Sequence, residues 1–139
     1  MMRIEIQLDC NFNKTPPACV FSSKQNRKEL ILEKRNALVL DFNLNVKDFL
    51  SIDFINKDDN DDNVVIIKKI IMDDIDLQHF IYHGSFTPRY NPEWFEKQDP
   101  KPPTSYSPCT ELRHSGVWKM DIHTPIWEML MKEWMNDKR

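Results

Sequence analysis

The sequence predicts a mainly-β domain: an antiparallel, jelly-roll-like β-sandwich with a long proline-rich arm and one C-terminal α-helix. Three observations support this fold class. Apolar and polar residues alternate in several short segments, which is the period of a half-buried strand. Turn-forming residues recur about every 8–12 residues, a spacing typical of β-sandwiches. No helix-length segment separates the early strands, which disfavours a parallel β-α-β arrangement.

The first strand is predicted from the alternation over Met2–Leu8, where even-numbered positions are apolar and odd-numbered positions are polar. The adjacent prolines in Asn13–Pro17 then favour a turn. The segment Val64–Met72 is rich in β-branched residues, which favours a strand over a helix. The intervening strands are expected at Ala18–Ser22, Leu30–Leu32, Leu38–Leu44 and Leu50–Phe54.

Two acidic segments interrupt the later strands. Residues 56–63 contain only Asn, Lys and Asp, so they have nothing to bury and are predicted to form a loop. Asp73–Leu77 is predicted to be a tight turn that leads into a short strand at His79–Tyr82.

Residues 84–116 are predicted to form an ordered, extended arm. They lie between the two glycines of the chain and contain six of its nine prolines. A loop of this length inside a compact domain is uncommon and is usually functional or disordered. Its aromatic residues argue against disorder because such rings favour burial. One helical turn is expected at Pro92–Lys97.

The chain is expected to end in a strand and a helix. Val117–His123 alternates as a strand does, and Thr124-Pro125 is suited to the first turn of a helix. Trp127 and Trp134 fall on one apolar stripe of that helix. The predicted single domain, residues 1–139, therefore comprises core strands in 1–83, the arm in 84–116, the last strand in 117–123 and the helix in 124–137.

Composition and charge exclude several classes of protein. A net charge of −3 and a pI near 5.8 give no electrostatic basis for nucleic-acid binding. The alternating N-terminus has no apolar signal-peptide core, and no apolar run is long enough to span a membrane. Three cysteines without CxxC spacing predict reduced thiols in a protein made in a cytoplasm.

A calcium site is the first metal hypothesis. Asp58, Asn60 and Asp62 alternate carboxylate and amide oxygens, which are ligands that Ca²⁺ prefers. They do not form an EF-hand, because the positions that would need glycine and glutamate hold Asn63 and Lys69. The alternative is a solvated hairpin tip, in which case no cofactor is required.

Histidine and cysteine patterns do not predict a catalytic centre. His79 and His83 stand four residues apart, a spacing that suits zinc on a helix but not on the predicted strand. Cys109 precedes Glu111 and His114, but a proline-rich arm does not indicate the electropositive pocket that a reactive thiol needs. The chain is therefore predicted not to be an enzyme.

Aromatic residues are the remaining candidates for a contact surface. They could stack on sugar rings, anchor a protein partner, or fold back and cover one sheet of their own domain. The candidates are Tyr82, Tyr90, Trp94, Phe95 and Tyr106 around the arm, and Trp127 and Trp134 in the C-terminal helix.

Three segments carry a family resemblance: Val64–Leu77, His79–Tyr90, and Gly116–Trp127. Together they resemble small virion-associated proteins of marine tailed bacteriophages, particularly those that infect cyanobacteria. The β-rich first half is also similar to calcium-dependent carbohydrate-binding modules of the xylan-binding type. The first resemblance implies a non-enzymatic capsid-decoration or tail component in a multi-copy assembly, located in the virion and made in the host cytoplasm. The alternative is a carbohydrate-binding module, calcium-assisted or not, and a weaker alternative is a small hydrolase.

Overall fold

Two antiparallel β-sheets pack face to face in the part of the chain that the structure describes. The computed structural model describes residues 2–32, 36–42, 44, 47–57, 63–123 and 131, without the side chains of residues 2, 36–42, 78–80 and 123. Within these residues the strands are β1 (Met2–Asn11), β2 (Ala18–Ser22), β3 (Arg27–Ile31), β4 (Asn36–Phe42), β5 (Lys47–Phe54), β6 (Val64–Met72), β7 (Ile75–Asp76), β8 (Ser85–Pro88), β9 (Glu111–Leu112) and β10 (Gly116–His123). A 3-10 helix spans Gln78–His83, and a short helix, α1, spans Pro92–Glu96.

The first sheet, sheet A, has the strand order β4-β1-β6-β7, with β9 also paired to β6. The second, sheet B, has the order β3-β2-β5-β10-β8. All described pairings are antiparallel. The predicted β-sandwich is therefore confirmed.

The core fills the space between the two sheets. Sheet A contributes alternate residues of β1, Ile4, Ile6 and Leu8, none more than 1% exposed. Sheet B contributes large rings, of which Trp118 and Phe54 are fully buried. Burial of this apolar surface is the main stabilising contribution in a domain of this size.

A β-bulge interrupts the pairing of β1 with β6. Gln7 lies opposite Lys69, whereas Leu8 lies opposite Ile67, so Lys68 is the extra residue. The bulge restores alternation after two consecutive lysines, because it lets Ile67 and Ile70 both point into the core. Without it, one of them would face water.

Most predicted strands are confirmed, two of them, Ala18–Ser22 and Val64–Met72, with identical bounds. The predicted tight turn is formed by Asp73 and Asp74, both with positive φ, as in a type I′ hairpin turn. The third predicted strand, Leu30–Leu32, is shifted, because Arg27–Ile31 is the segment that pairs with β2.

The prediction of a strand at His79–Tyr82 is wrong. This segment lies in the 3-10 helix, which carries the chain from β7 in sheet A to β8 in sheet B. Its backbone therefore closes a local hydrogen bond, from Gly84 N–H to the Ile81 carbonyl at 3.1 Å. Ile81 still reaches the core and is 5% exposed.

The segment 84–116, predicted as an ordered, extended arm, also contributes strands to the sandwich. The segment supplies β8 to sheet B and β9 to sheet A, so it is part of both layers. Its helical turn is confirmed as α1. The predicted C-terminal helix at 124–137 lies outside the described residues, apart from residue 131. No helix of the described chain is long and apolar enough to cross a membrane.

Candidate functional site

An open pocket of about 610 Å³ lies at one end of sheet B. Three chain segments form it: Lys57 in the loop after β5, the connection from β8 to α1, and the turn between β9 and β10. The lining residues are Lys57, Arg89, Tyr90, Asn91, Trp94, Arg113, His114 and Ser115. The volume falls within the ~300–1,000 Å³ typical of small-molecule sites.

The first residue of β10 brings these three segments together. Gly116 lies opposite Phe54 of β5 on one side and Pro88 of β8 on the other. A β-carbon on Gly116 would collide with the Thr87 carbonyl and would lie 2.7 Å from Pro88 Cα. Glycine is therefore the residue that lets the ends of the three strands meet this closely.

Ser115 fixes the loops on both sides of Gly116. Its carbonyl accepts from Arg89 N–H at 2.7 Å, and its hydroxyl accepts from Lys57 N–H at 2.9 Å. Both flanking loops are thus tied by backbone donors to the same residue. These two hydrogen bonds hold both loops at the base of the pocket and restrict their movement.

Helix α1 presents the tryptophan of the pocket. The Asn91 side chain caps the helix by accepting from Glu93 N–H at 2.9 Å, and Pro92 occupies the first helical turn. Both residue types favour a helix start. Trp94 projects from this helix and is 44% exposed, an unusual exposure for the largest apolar side chain.

Tyr90 is the centre of an aromatic cluster beneath Trp94. Its ring lies 5.5 Å from the ring of Trp94, 5.5 Å from that of Phe95 in a stacked arrangement, and 5.1 Å edge-on from that of His114. Such offset and edge contacts are favourable for aromatic pairs. The cluster therefore packs against Trp94, which still exposes 44% of its surface.

The Tyr90 hydroxyl joins the cluster to the proline-rich segment. It donates to the Pro103 carbonyl at 2.6 Å and lies 3.0 Å from the hydroxyl of Tyr106. Burial, followed by the hydrogen bond with Tyr106, raises the pKa of Tyr90 well above its ordinary value, so this donor stays protonated. Tyr106 is itself paired with Phe86 of β8 through two backbone hydrogen bonds of 2.9 and 2.8 Å.

Three cationic residues line the pocket. Arg89 forms an ion pair with Asp53 at 2.7 Å, and Arg113 forms one with Glu111 at 2.8 Å. Lys57 is the third. No carboxylate is among the lining residues of the described chain, so the wall of the pocket is basic although the whole chain carries a net charge of −3.

The predicted contact residues fall into three groups. Tyr90 and Trp94 line the pocket, and Phe95 and Tyr106 support it from below. Tyr82 is 46% exposed on the 3-10 helix and does not line the pocket. The two remaining residues, Trp127 and Trp134, lie outside the described residues.

Sequence inspection missed the polar half of the pocket. Lys57, Arg89, Arg113 and Ser115 were not singled out, because each stands next to turn residues where a polar side chain is ordinary. His114 is marked in the sequence only by its nearness to Cys109 and Glu111. The pairing of Gly116 with two strands is what brings these residues together, and no local pattern shows it.

No metal centre is formed by the described residues, in which no three His, Cys, Asp or Glu side chains gather around a common point. The calcium candidates Asp58, Asn60 and Asp62 lie outside the described residues.

The residues Cys109, Glu111 and His114 do not converge. The Cys109 thiol donates to the Glu111 backbone carbonyl at 3.2 Å, while the Glu111 carboxylate binds Arg113. His114 packs against Tyr90 instead. Burial raises the pKa of Cys109, which lowers the thiolate fraction that nucleophilic catalysis needs.

Ionisation of Cys19 on β2 is expected to lower the stability of the fold at alkaline pH. Burial, reinforced by the charge of Asp53, raises its pKa from an ordinary 9.0 to about 12. The neutral thiol is therefore favoured in the fold, so its stabilising contribution is complete below about pH 9 and is lost as the pH rises towards the folded-state pKa. We expect the free energy of unfolding to fall by about 2 kcal/mol more in the wild type than in Cys19→Ala between about pH 8 and about pH 10.5.

Urea unfolding at the two pH values, followed by circular dichroism, measures this difference. Other side chains also titrate in this range, but they are common to both proteins. An equal loss of stability in the wild type and in Cys19→Ala would show that the thiol titrates normally in the fold.

Comparisons with known proteins give a structural likeness only. No protein-family model matches the chain, and a search of the curated proteins finds no significant match. Two solved structures of vCBM60 are similar, both at 9% sequence identity over 86% of this chain. One is a selenomethionine form described with two families of calcium-dependent carbohydrate-binding modules (TM-score 0.61, 89% of that chain). The other is a complex with galactobiose (TM-score 0.62, 99% of that chain). At this identity the likeness establishes a shared β-sandwich fold.

Proposed function

We propose that this domain binds carbohydrate without catalysis, with Trp94 as the surface on which a sugar ring stacks. The observation that carries the proposal is the 44% exposure of Trp94, which contacts Tyr90 and His114 in a pocket lined mainly by polar side chains. A sugar ring has an apolar face of C–H groups and a rim of hydroxyls. An aromatic platform with hydrogen-bonding groups around it is complementary to both.

The polar rim has suitable donors and acceptors. Asn91 and Ser115 line the pocket with Trp94, together with Arg89 and Arg113. Planar side chains of this kind can hydrogen-bond neighbouring hydroxyls of one sugar in pairs. The hydrogen-bonded base of the pocket lowers the entropy cost of binding, because the loops that carry the contact residues are held in advance.

The structural likeness supports this proposal more than it supports a virion component. The vCBM60 structures share the sandwich, and one of them contains galactobiose. The prediction of a capsid or tail protein rests on sequence resemblance alone and stays untested. A small hydrolase finds no support in the described residues, since the Cys109, Glu111 and His114 side chains engage separate partners.

Experiment decides whether the proposed sugar binding requires calcium. One vCBM60 structure is described with calcium-dependent modules, whereas the described residues here gather no metal-binding group. The remaining candidates are the acidic residues that directly follow Lys57 in the sequence, among them Asp58 and Asp62. Any calcium effect is therefore expected to depend on those acids.

A glycan array with the labelled domain tests the proposal, run once with added calcium and once with chelator. We expect binding to a small set of related glycans, confirmed by titration calorimetry with the free sugars. Loss of binding in chelator, restored by calcium, would establish an ion requirement, whereas unchanged binding would exclude one. If no glycan on the array were bound in either condition, carbohydrate binding would be ruled out, and a virion component would become the favoured function.

A further inference from the structure

The charge of the pocket narrows the class of sugar. Lys57, Arg89 and Arg113 line the same space as Trp94, and no acidic side chain of the described residues lines it with them. The hydroxyl groups of a neutral sugar donate as well as accept, and a carboxylate can accept from them, whereas lysine and arginine side chains only donate. Here the charged groups of the wall are donors that carry positive charge.

Each of the two arginines forms an ion pair and still reaches solvent. Arg89 pairs with Asp53 and Arg113 with Glu111, and the arginine side chains remain 47% and 67% exposed. Solvent-exposed ion pairs of this kind are weak, so a ligand anion can compete with the carboxylate for the guanidinium. Within the described chain, the side-chain hydrogen bonds of Arg89 all come from Nη2, which leaves Nε and Nη1 for a ligand.

The position of these groups suits an anion at the edge of a stacked ring. A ring lying on Trp94 would direct its substituents outward towards the pocket wall, where the cations are. A planar carboxylate matches the fork of a guanidinium, and a charge-assisted bond of this type is about twice as strong as a neutral one. The overall charge of −3 opposes the binding of an anion only weakly, because salt screens the interaction between charges more than about 8 Å apart at physiological ionic strength.

We infer that the pocket selects anionic sugars, with Trp94 stacking on the ring and Arg113, Arg89 and Lys57 binding its carboxylate or sulfate group. This inference rests on the proposed carbohydrate binding and adds the substrate class. Of the two anions we expect the carboxylate of a uronic acid to bind better, because its two oxygens lie in one plane as the guanidinium nitrogens do.

Calorimetric titration of the domain with a matched pair of sugars tests the inference. Galactobiose and the digalacturonic acid of the same linkage differ only in whether each ring carries a hydroxymethyl group or a carboxylate. Galactobiose bearing a sulfate ester distinguishes sulfate from carboxylate. We expect digalacturonic acid to bind at least ~10-fold more tightly than galactobiose, and the preference to shrink as the salt concentration rises from about 0.05 M to about 0.5 M.

Arg113→Gln and Arg27→Gln form the matched variant pair. Both remove one exposed positive charge, but Arg27 lies on β3, at the far edge of sheet B from β8, and does not line the pocket. Arg113→Gln should weaken the binding of digalacturonic acid ~5–10-fold and leave the affinity for galactobiose within about twofold of the wild type. Arg27→Gln should change neither affinity.

The outcomes distinguish failure of the preference for anionic sugars from failure of the proposed carbohydrate binding. Equal or tighter binding of galactobiose that still depends on Trp94 would overturn the preference for anions and leave carbohydrate binding intact. Anionic binding that falls equally in both arginine variants would show a general charge effect and would also overturn it. Absence of binding to all three sugars, together with a flat glycan array, would remove the proposed function itself.

Discussion

Replacing Gly84 with alanine is expected to destabilise the domain by about 3 kcal/mol and to lower its melting temperature by about 10 °C. The backbone of Gly84 is ordinary extended chain, with φ −68° and ψ 143°, so conformational freedom is not the reason. The reason is space, since an added β-carbon would overlap three indole atoms of Trp118, namely Cζ2, Cε2 and Nε1.

The indole of Trp118 cannot move aside cheaply. The side chain is fully buried in the core of the sandwich, and its Nε1–H donates to the Cys109 carbonyl at 2.9 Å. A displaced ring would break this buried hydrogen bond and force neighbouring side chains out of their rotamers. Both effects add to the cost of the extra methyl group.

A double-mutant cycle identifies the collision as the cause. In a Trp118→Phe background the atoms that meet the new methyl group are absent, so Gly84→Ala should cost at least ~1.5 kcal/mol less there than in the wild type. Thr87→Ala, exposed on β8, serves as a neutral control within about 0.5 kcal/mol. Urea unfolding measures the free energies of the four proteins of the cycle and of Thr87→Ala. The same cost of Gly84→Ala in both backgrounds would contradict the proposed contact.

The sandwich could be predicted from the sequence because its strands carry local patterns. Met2–Leu8 alternates strictly, and the break in alternation at Lys68-Lys69 coincides with the bulge opposite Gln7. The segment His79–Tyr82 has a similar apolar character, but its conformation depends on crossing from sheet A to sheet B. A local pattern cannot show whether a strand edge is available for pairing.

The candidate site could be predicted only in part, for a related reason. Tyr90 and Trp94 can be predicted because aromatic rings among turn residues are conspicuous in the sequence. The cations and Ser115 reach them through the pairing of Gly116 with both Phe54 and Pro88, which depends on the register of distant strands. Register is a property of the whole sheet, so the basic wall of the pocket becomes visible only in three dimensions.

Trp94→Ala is expected to weaken binding of the strongest array ligand by about 30-fold or more without changing stability. Loss of a central aromatic contact typically costs about 2 kcal/mol or more of binding free energy, which corresponds to this factor. Trp94 is 44% exposed, so its removal opens no core cavity. The free energy of unfolding should therefore stay within about 0.5 kcal/mol of the wild type.

Tyr82→Ala is the matched control for this loss. Tyr82 is exposed to a similar extent, 46%, but projects from the 3-10 helix and does not line the pocket. We expect its affinity to stay within about twofold of the wild type, and Trp94→Phe to retain part of the binding because a smaller ring still offers a stacking face. Calorimetry with the same sugar compares the four proteins. If Tyr82→Ala weakened binding as much as Trp94→Ala does, the sugar would not be stacking in this pocket, and a surface that includes the 3-10 helix would have to replace it.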